Sequence, residues 1–180
     1  EYLPKEEGMQ HRVIEAANYS VEAGGKRVRP LIMLETYKLF GGDNESEVYP
    51  FMAALECIHS YSLVHDDLPA MDNDDYRRGR LTTHKVYGEA MGVLSGVALL
   101  NSAYEVMLTA FDTADTPDCQ AHVIQALKVI SHKTGLYGML GGQSVDVEND
   151  GKPMSREMID YIYENKTSAL IEASVMTGAI

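Results

Sequence analysis

The acidic stretch His65–Asp75 holds the residues best suited to chemistry, because five aspartates fall within the ten positions from Asp66. A run of charges is usually a solvated loop. This run follows directly on the most apolar segment of the chain, which anchors Asp66 and Asp67 to the predicted core. At a helix C-terminus the macrodipole disfavours each carboxylate by ~0.3–1 kcal/mol. A cation would offset that cost, and Mg²⁺ prefers carboxylate oxygens together with substrate phosphates. The stretch indicates a magnesium site, with a solvated loop as the alternative.

Cations are concentrated in two clusters, Gly24–Pro30 and Arg77–Arg80. The first cluster lies just before a predicted helix start, where backbone N–H groups and the helix dipole favour an anion. Its glycines let the backbone come close, and arginine can grip phosphate with two hydrogen bonds. A polar loop is the alternative for the first cluster, and neutralisation of the neighbouring aspartates is the alternative for the second. Together with the acidic stretch, the clusters indicate one phosphate group held through metal and another held directly.

Three weaker patterns are also candidates. His59 lies two helical turns before Asp66 and on the same face, from which it could donate to a phosphate. A structural histidine is the alternative. Gly141–Gly142–Gln143 with Asp146 is explained equally well by helix packing, and Lys166–Thr167 by a solvent-facing turn.

The composition excludes several classes of protein. The chain has 180 residues, and 27 acidic against 15 basic residues give a formal net charge of -12. That charge disfavours a nonspecific nucleic-acid binder, which should be basic. Two cysteines, Cys57 and Cys119, cannot make a disulfide framework, so a reducing, cytoplasmic setting is expected. The longest uncharged run, Ala90–Tyr104, is shorter than the ~20 residues of a membrane span, so no integral membrane segment is expected.

Helical periodicity dominates the chain, so helices must position these residues. Pro30 fits a first helical turn, and Gly41–Gly42 fits a helix end. The segment before the acidic stretch is apolar almost all round, which predicts a buried central helix ended by Pro69. The predicted helices cover about 13–20, 30–40, 46–68, 85–111, 119–140 and 155–180, with no strand. The predicted fold class is all-α, a large bundle of long, mostly antiparallel helices.

Four segments together resemble the trans-isoprenyl diphosphate synthases, the family of farnesyl and geranylgeranyl diphosphate synthases. They are GGKRVRP (24–30), ECIHSYSLVHDDLPAMDNDDYRRG (56–79), GGQSVD (141–146) and NKTSALI (165–171). The resemblance implies one domain over 1–180, an isoprenoid synthase fold with helices around a deep apolar cavity, and a homodimer. It also implies a Mg²⁺-dependent prenyltransferase that joins an allylic diphosphate to isopentenyl diphosphate and forms farnesyl diphosphate.

The same resemblance implies roles for the charged candidates. Asp66 and Asp72 would ligate the magnesium that grips the allylic diphosphate, with Asp67 in support. Arg77 and Lys166 would bind that same diphosphate. Isopentenyl diphosphate would be held by four further side chains: Lys26, Arg29, His59 and Arg78.

Roles for uncharged candidates follow from the resemblance as well. Thr167 and Gln143 would stabilise the carbocation through their oxygen dipoles. Large residues just upstream of the first aspartates form the cavity floor in this family, which makes Tyr61 and Ser62 the chain-length pocket. The aromatic Tyr61 resembles the bacterial farnesyl type, although a helical wheel places Ser62 more directly beneath Asp66.

The sequence also departs from the family pattern. The second aspartate-rich motif is absent from these residues, so the sequence is expected to be incomplete at both ends. Val97 and Ser168 stand where the family often has Asp and Gly. Three alternatives stay open: a geranylgeranyl diphosphate synthase, a noncatalytic subunit of a heteromeric synthase, and an HD-type phosphohydrolase suggested by His65–Asp66. A noncatalytic subunit should have lost metal ligands, and a phosphohydrolase leaves GGKRVRP unexplained.

Overall fold

A computed structural model describes residues 2–180 and confirms the predicted all-α bundle. The α-helices are α1 (His11–Val21), α2 (Val28–Leu39), α3 (Tyr49–Asp66), α4 (Thr83–Tyr87), α5 (Glu89–Leu108), α6 (Pro117–Thr134), α7 (Met139–Glu148), α8 (Arg156–Ile162) and α9 (Ala169–Gly178). Two short 3₁₀ turns, Glu45–Glu47 and Thr109–Thr113, and one π-helical turn, Tyr163–Ser168, complete the helical part.

Helix α3 is the central element, as its apolar composition predicts. Pro50 stands in the first turn, where its missing N–H costs no hydrogen bond. Leu55 and Ile58 are completely buried, and they share one apolar core with residues of α2, α5, α6 and α9. Since α3 is covered on nearly every side, the residues at its C-terminal end have fixed positions relative to the rest of the bundle.

Helix α5 runs antiparallel to α3 and approaches it closely. His65 contacts the first half of α5, whereas Tyr61 lies nearer to Tyr104 in the second half. Two glycines of α5 make the approach possible. A Cβ on Gly96 would overlap the His65 ring, and a Cβ on Gly92 would lie 2.9 Å from the side chain of Leu68.

The prediction that the chain contains no strand is wrong at one place. Tyr76–Arg77 and Arg80–Leu81 form a two-stranded antiparallel ladder. The turn between them has positive φ at both central residues, Arg78 (52°) and Gly79 (78°), which is the type I′ geometry that suits a tight hairpin. Strands of two residues are too short to produce an alternating pattern, so periodicity could not reveal them.

Three of the predicted long helices are interrupted. The predicted helix 119–140 is divided into α6 and α7, because the backbone leaves the helical conformation at Gly135 (ψ −157°) and again at Gly138 (ψ −131°). The predicted helix 85–111 is preceded by the short α4 and separated from it by Gly88, whose φ is 89°. The predicted helix 155–180 contains the π-helical turn between α8 and α9.

Within residues 2–180, only Glu89–Thr113 is long and apolar enough to cross a membrane, with a mean hydropathy of 1.4. Core helices of soluble proteins meet the same criteria, and this segment packs along α3. It is therefore weak evidence for a span and does not contradict the expectation of no integral membrane segment.

Shortening a fully buried side chain of α3 tests the packing. Ile58→Ala should lower the free energy of unfolding of the full-length protein by about 2–5 kcal/mol, since a cavity replaces apolar contacts. Leu39→Ala is the control, because that side chain is 81% exposed, and should change stability by under about 0.5 kcal/mol. Urea denaturation measures both values. Equal effects of the two substitutions would contradict the central position of α3.

Candidate active site

A cavity of about 490 Å³ lies beside α3, between the ends of α2 and α5 on one side and α7 with the π-helical turn on the other. Most of its wall is apolar. The apolar part includes Tyr61, Leu68, Met71, Val93, Met139, Leu140 and Leu170. The polar part consists of side chains that the sequence analysis selected, together with His65: Arg29, His59, Ser62, Asp66, Gln143, Lys166 and Thr167.

The two aspartates expected to hold magnesium are brought together by a tight turn. Asp66 ends α3, and the backbone N–H of Asp72 donates to the Asp66 carbonyl oxygen at 2.9 Å. Partial burial and the neighbouring Asp66 raise the pKa of Asp72, while Lys166 opposes that shift. Gln143 donates from Nε2 to the Asp66 carboxylate and so links α7 to the end of α3.

Asp67 faces another direction. Its carboxylate is buried and accepts from the Arg77 Nε at 2.7 and 2.9 Å, in a two-pronged ion pair that also includes Nη2. The contact fixes the hairpin against α3. Asp67 therefore holds Arg77 in place and does not lie with the other two aspartates.

The carboxylate pair fits a magnesium ion. No cluster of three or more His, Cys, Asp or Glu side chains suited to a metal exists among residues 2–180. Two neighbouring carboxylates are nevertheless the usual protein share of a Mg²⁺ site whose other ligands are substrate phosphates and water. Burial and then the charge of Asp66 raise the pKa of Asp72, and a cation beside both carboxylates would favour their ionised forms.

Lys166 and Thr167 lie on the π-helical turn and both line the cavity. Lys166 donates from Nζ to Asp146 at 2.5 Å, which ties it to α7. At Gly142 the backbone of α7 contacts the backbone of this turn, because a Cβ there would overlap the Lys166 nitrogen. Such π-helical insertions are frequent at functional sites. Sequence spacing alone does not reveal the insertion or the Asp146 contact.

The two basic clusters contact each other next to Arg29, although Lys26, Arg77 and Arg78 do not themselves line the cavity. The Arg78 guanidinium donates to the Gly24 carbonyl, and a Cβ on Gly25 would lie 2.7 Å from that guanidinium. Gly25 also has a φ of 133°, so only glycine suits this position. The loop before α2 and the hairpin thereby form one basic surface.

Three cations at the start of α2 have three different surroundings. Lys26 is exposed to solvent. Arg27 is paired with the buried Glu56 of α3 and also donates to the Val21 carbonyl, so it holds the loop in place. Arg29 reaches the cavity, and its buried Nε has no hydrogen-bond partner. A guanidinium with an unpaired nitrogen, on a residue that lines a cavity, is suited to an anionic ligand.

His59 completes the basic side of the cavity. Burial, followed by the charge of Arg29 and then of further arginines, lowers its pKa to about 3. The ring is therefore neutral near pH 7 and can donate one N–H. The sequence indicates His59 as a candidate, but the charge of its ring depends on arginines from two distant segments.

Comparison with known proteins agrees with this geometry. The family model for polyprenyl synthetase matches residues 10–180. The chain belongs to the polyprenyl synthetase family. This membership excludes the HD-type phosphohydrolase alternative.

Relatives within the polyprenyl synthetase family have different products in their names. The chain is 41% identical to farnesyl diphosphate synthase of Geobacillus stearothermophilus over 99% of its own length and 59% of the relative's. It is 43% identical to the large subunit 1 of heterodimeric geranylgeranyl pyrophosphate synthase of Arabidopsis thaliana, over 94% and 46%. The crystal structure of an FPP/GFPP synthase from Zymomonas mobilis superposes with a TM-score of 0.90 at 37% identity, over 99% and 63%. The chain thus spans between 46% and 63% of the length of these three relatives.

The neutral state of His59 has a measurable consequence. The unfolded chain takes up a proton as the pH falls below 6.5, whereas the folded ring stays neutral down to about pH 3. His59 therefore contributes stability that is present above pH 6.5 and is lost as the pH falls toward 3.

Without bound anion, the His59 ring signals in an NMR titration should stay constant between pH 5 and 8. The unfolding free energy of His59→Gln should depend less on pH. A ring midpoint near 6.5 would refute the prediction.

Proposed function

We propose that the full-length protein is a trans-prenyltransferase that joins an allylic diphosphate to isopentenyl diphosphate and forms farnesyl diphosphate. One observation carries the proposal. An apolar cavity is lined by Asp66 and Lys166 at one end and by Arg29 and the neutral His59 at the other, with Asp72 close to Asp66 and Arg78 close to Arg29. Two phosphate-bearing substrates can then meet with their apolar tails in a space that excludes water.

The allylic diphosphate binds at the side of Asp66 and Asp72. Asp66 and Asp72 would hold magnesium, which would supply positive charge to the oxygens of the leaving diphosphate. Lys166, next to these aspartates, adds a positive charge for the same oxygens. Asp67 occupies the Nε and Nη2 edge of Arg77, so Arg77 contacts the diphosphate from the edge that includes Nη1.

Isopentenyl diphosphate binds at the basic side. Arg29 supplies its unpaired Nε, Arg78 supplies a guanidinium held by Gly24, and the neutral His59 supplies one N–H. Lys26 is exposed to solvent and contacts the diphosphate from the solvent side. The double bond of isopentenyl diphosphate attacks the allylic carbon as that carbon's bond to diphosphate breaks, and the departing diphosphate accepts the proton that the isopentenyl unit then loses. The protein therefore needs no nucleophile.

The positive charge that develops on carbon needs oxygen dipoles and a dry site. Thr167 lines the cavity and offers its hydroxyl. The Gln143 amide nitrogen is directed to Asp66, which leaves its carbonyl oxygen for the cation. The apolar walls keep out the water that would capture the cation.

Product length follows from the depth of the cavity, for which Tyr61 and Ser62 are the proposed determinants. Both residues line the cavity, and Tyr61 is buried to 9% exposure. Farnesyl diphosphate is favoured because the large ring shortens the space. A geranylgeranyl product is the second candidate, since relatives of both names match at similar identity. A noncatalytic role is disfavoured because Asp66, Asp72 and Lys166 are all present.

A homodimer in the cytoplasm is part of the proposal. Helix α5 exposes apolar side chains at helical spacing: Val97, Tyr104 and Leu108. Monomeric soluble proteins rarely expose a large contiguous apolar patch. Two copies of α5 packed together would cover these side chains.

The direct test is to incubate the full-length protein with Mg²⁺, isopentenyl diphosphate and dimethylallyl diphosphate. Farnesol should be the main alcohol after dephosphorylation. Recovery of unchanged substrates under these conditions would overturn the proposal.

Removing one carboxylate of the magnesium pair tests the acidic side. Asp66→Asn should lower kcat by about 10²-fold or more, because a preorganised charge contact to the leaving group is lost. Asp75→Asn is the matched control. That exposed aspartate pairs with Lys85 at 2.7 Å outside the cavity, so its loss should leave kcat close to normal. Near-normal turnover of the Asp66 variant at saturating Mg²⁺ would contradict the metal role.

Replacing the large wall residue tests product control. Tyr61→Ala should lengthen the main product by at least one five-carbon unit, because the cavity becomes deeper. Tyr61→Phe keeps the ring and should retain the original product. Chromatography of the dephosphorylated alcohols separates the outcomes, and an unchanged chain length in the alanine variant would show that another residue forms the floor.

A further inference from the structure

His65 is a residue for which the proposed reaction has no role so far, although it lines the cavity between two residues that do have one. It precedes Asp66 directly, and it follows Tyr61 by one turn of α3. Residues four apart on a helix are neighbours on its surface. The Tyr61 and His65 rings meet edge to face, with centroids 5.8 Å apart and an angle of 81° between their planes.

The His65 ring is itself held by α5. Its Nε2 lies 3.1 Å from the Val93 carbonyl oxygen. Because a carbonyl oxygen can only accept, Nε2 carries the proton and donates. The same ring lies against Gly96 so closely that a Cβ there would overlap it. One side of the ring is therefore fixed by the backbone of α5, and Tyr61 packs against it.

This arrangement limits where the Tyr61 ring can be. A tyrosine at a cavity wall can change its side-chain rotamer unless its neighbours prevent it. Here His65 occupies the space toward the Asp66 end of α3, and the α5 backbone keeps His65 from moving away. The position of the Tyr61 ring relative to Asp66 is therefore limited by the His65 ring, which α5 holds in place.

We propose that His65 is a positioning residue for product length, which holds the Tyr61 ring in the cavity wall, and that Gly96 is needed because it leaves room for the His65 ring. This inference rests on the proposed function, since it concerns the wall that limits the growing chain. His65 acts through Tyr61 and touches no reacting atom.

The experiment compares products of the full-length protein made from isopentenyl diphosphate and dimethylallyl diphosphate. His65→Gln removes the ring that faces Tyr61, and Gly96→Ala displaces that ring from α5. Each variant should shift the main product to a longer chain by at least one five-carbon unit. Leu94→Ala is the control, because it changes α5 two residues before Gly96 at a side chain that is 49% exposed and does not line the cavity. It should keep the original chain length.

A double variant separates positioning from general loosening. If His65 acts through Tyr61, His65→Gln combined with Tyr61→Ala should give the same product as Tyr61→Ala alone. A merely structural role would lower activity or thermal stability without lengthening the product. The inference is overturned if both single variants retain the original chain length, or if the double variant makes a longer product than Tyr61→Ala. Failure of the unmodified protein to make any prenyl product would instead refute the proposed function.

Discussion

Close contact between α3 and α5 is the constraint on which the site depends. Helix α3 carries four residues that act around the cavity: Glu56, His59, Tyr61 and Asp66. Fixing this helix therefore fixes the partner of Arg27, the proposed hydrogen-bond donor to phosphate, a wall residue and a proposed metal ligand together. Gly92 and Gly96 let α5 approach its C-terminal end without a side chain between them. Protein interiors are close-packed, so a displacement at this contact would be transmitted to every residue that α3 presents to the cavity.

The charges near the cavity divide into those with partners and those without. Arg27 is paired with Glu56, and Arg77 with Asp67. These pairs connect loops to α3, and removing one member would leave a buried charge uncompensated. By contrast, the Nε of Arg29 has no partner, and Asp66 and Asp72 repel each other. Unsatisfied or like-charged groups facing a cavity are where a ligand gains the most from binding.

Several parts of this arrangement could be predicted from local sequence. The buried α3, its end before Pro69 and the helical class follow from apolar periodicity and proline geometry, which act over a few residues. The break between α6 and α7 was not predicted, although His132 and Lys133 followed by Gly135 form a pattern typical of a helix end. The π-helical turn under Lys166 depends on contact with Gly142, more than twenty positions earlier in the chain.

The sequence by itself determined the kind of chemistry, which is the binding of phosphate groups through metal and through basic side chains. The carboxylates follow an apolar helix, and two clusters of cations stand out in a chain that is acidic overall. Only the tertiary structure decided which of these groups face the cavity. Arg27 and Arg29 are two residues apart, yet one is bound to Glu56 and the other reaches the site. Asp66 and Asp67 are adjacent, yet the second is turned toward Arg77. The reason is physical: each choice is made by a partner from another segment, such as Gly24 for Arg78 or Gln143 for Asp66, and local spacing contains no information on these partners.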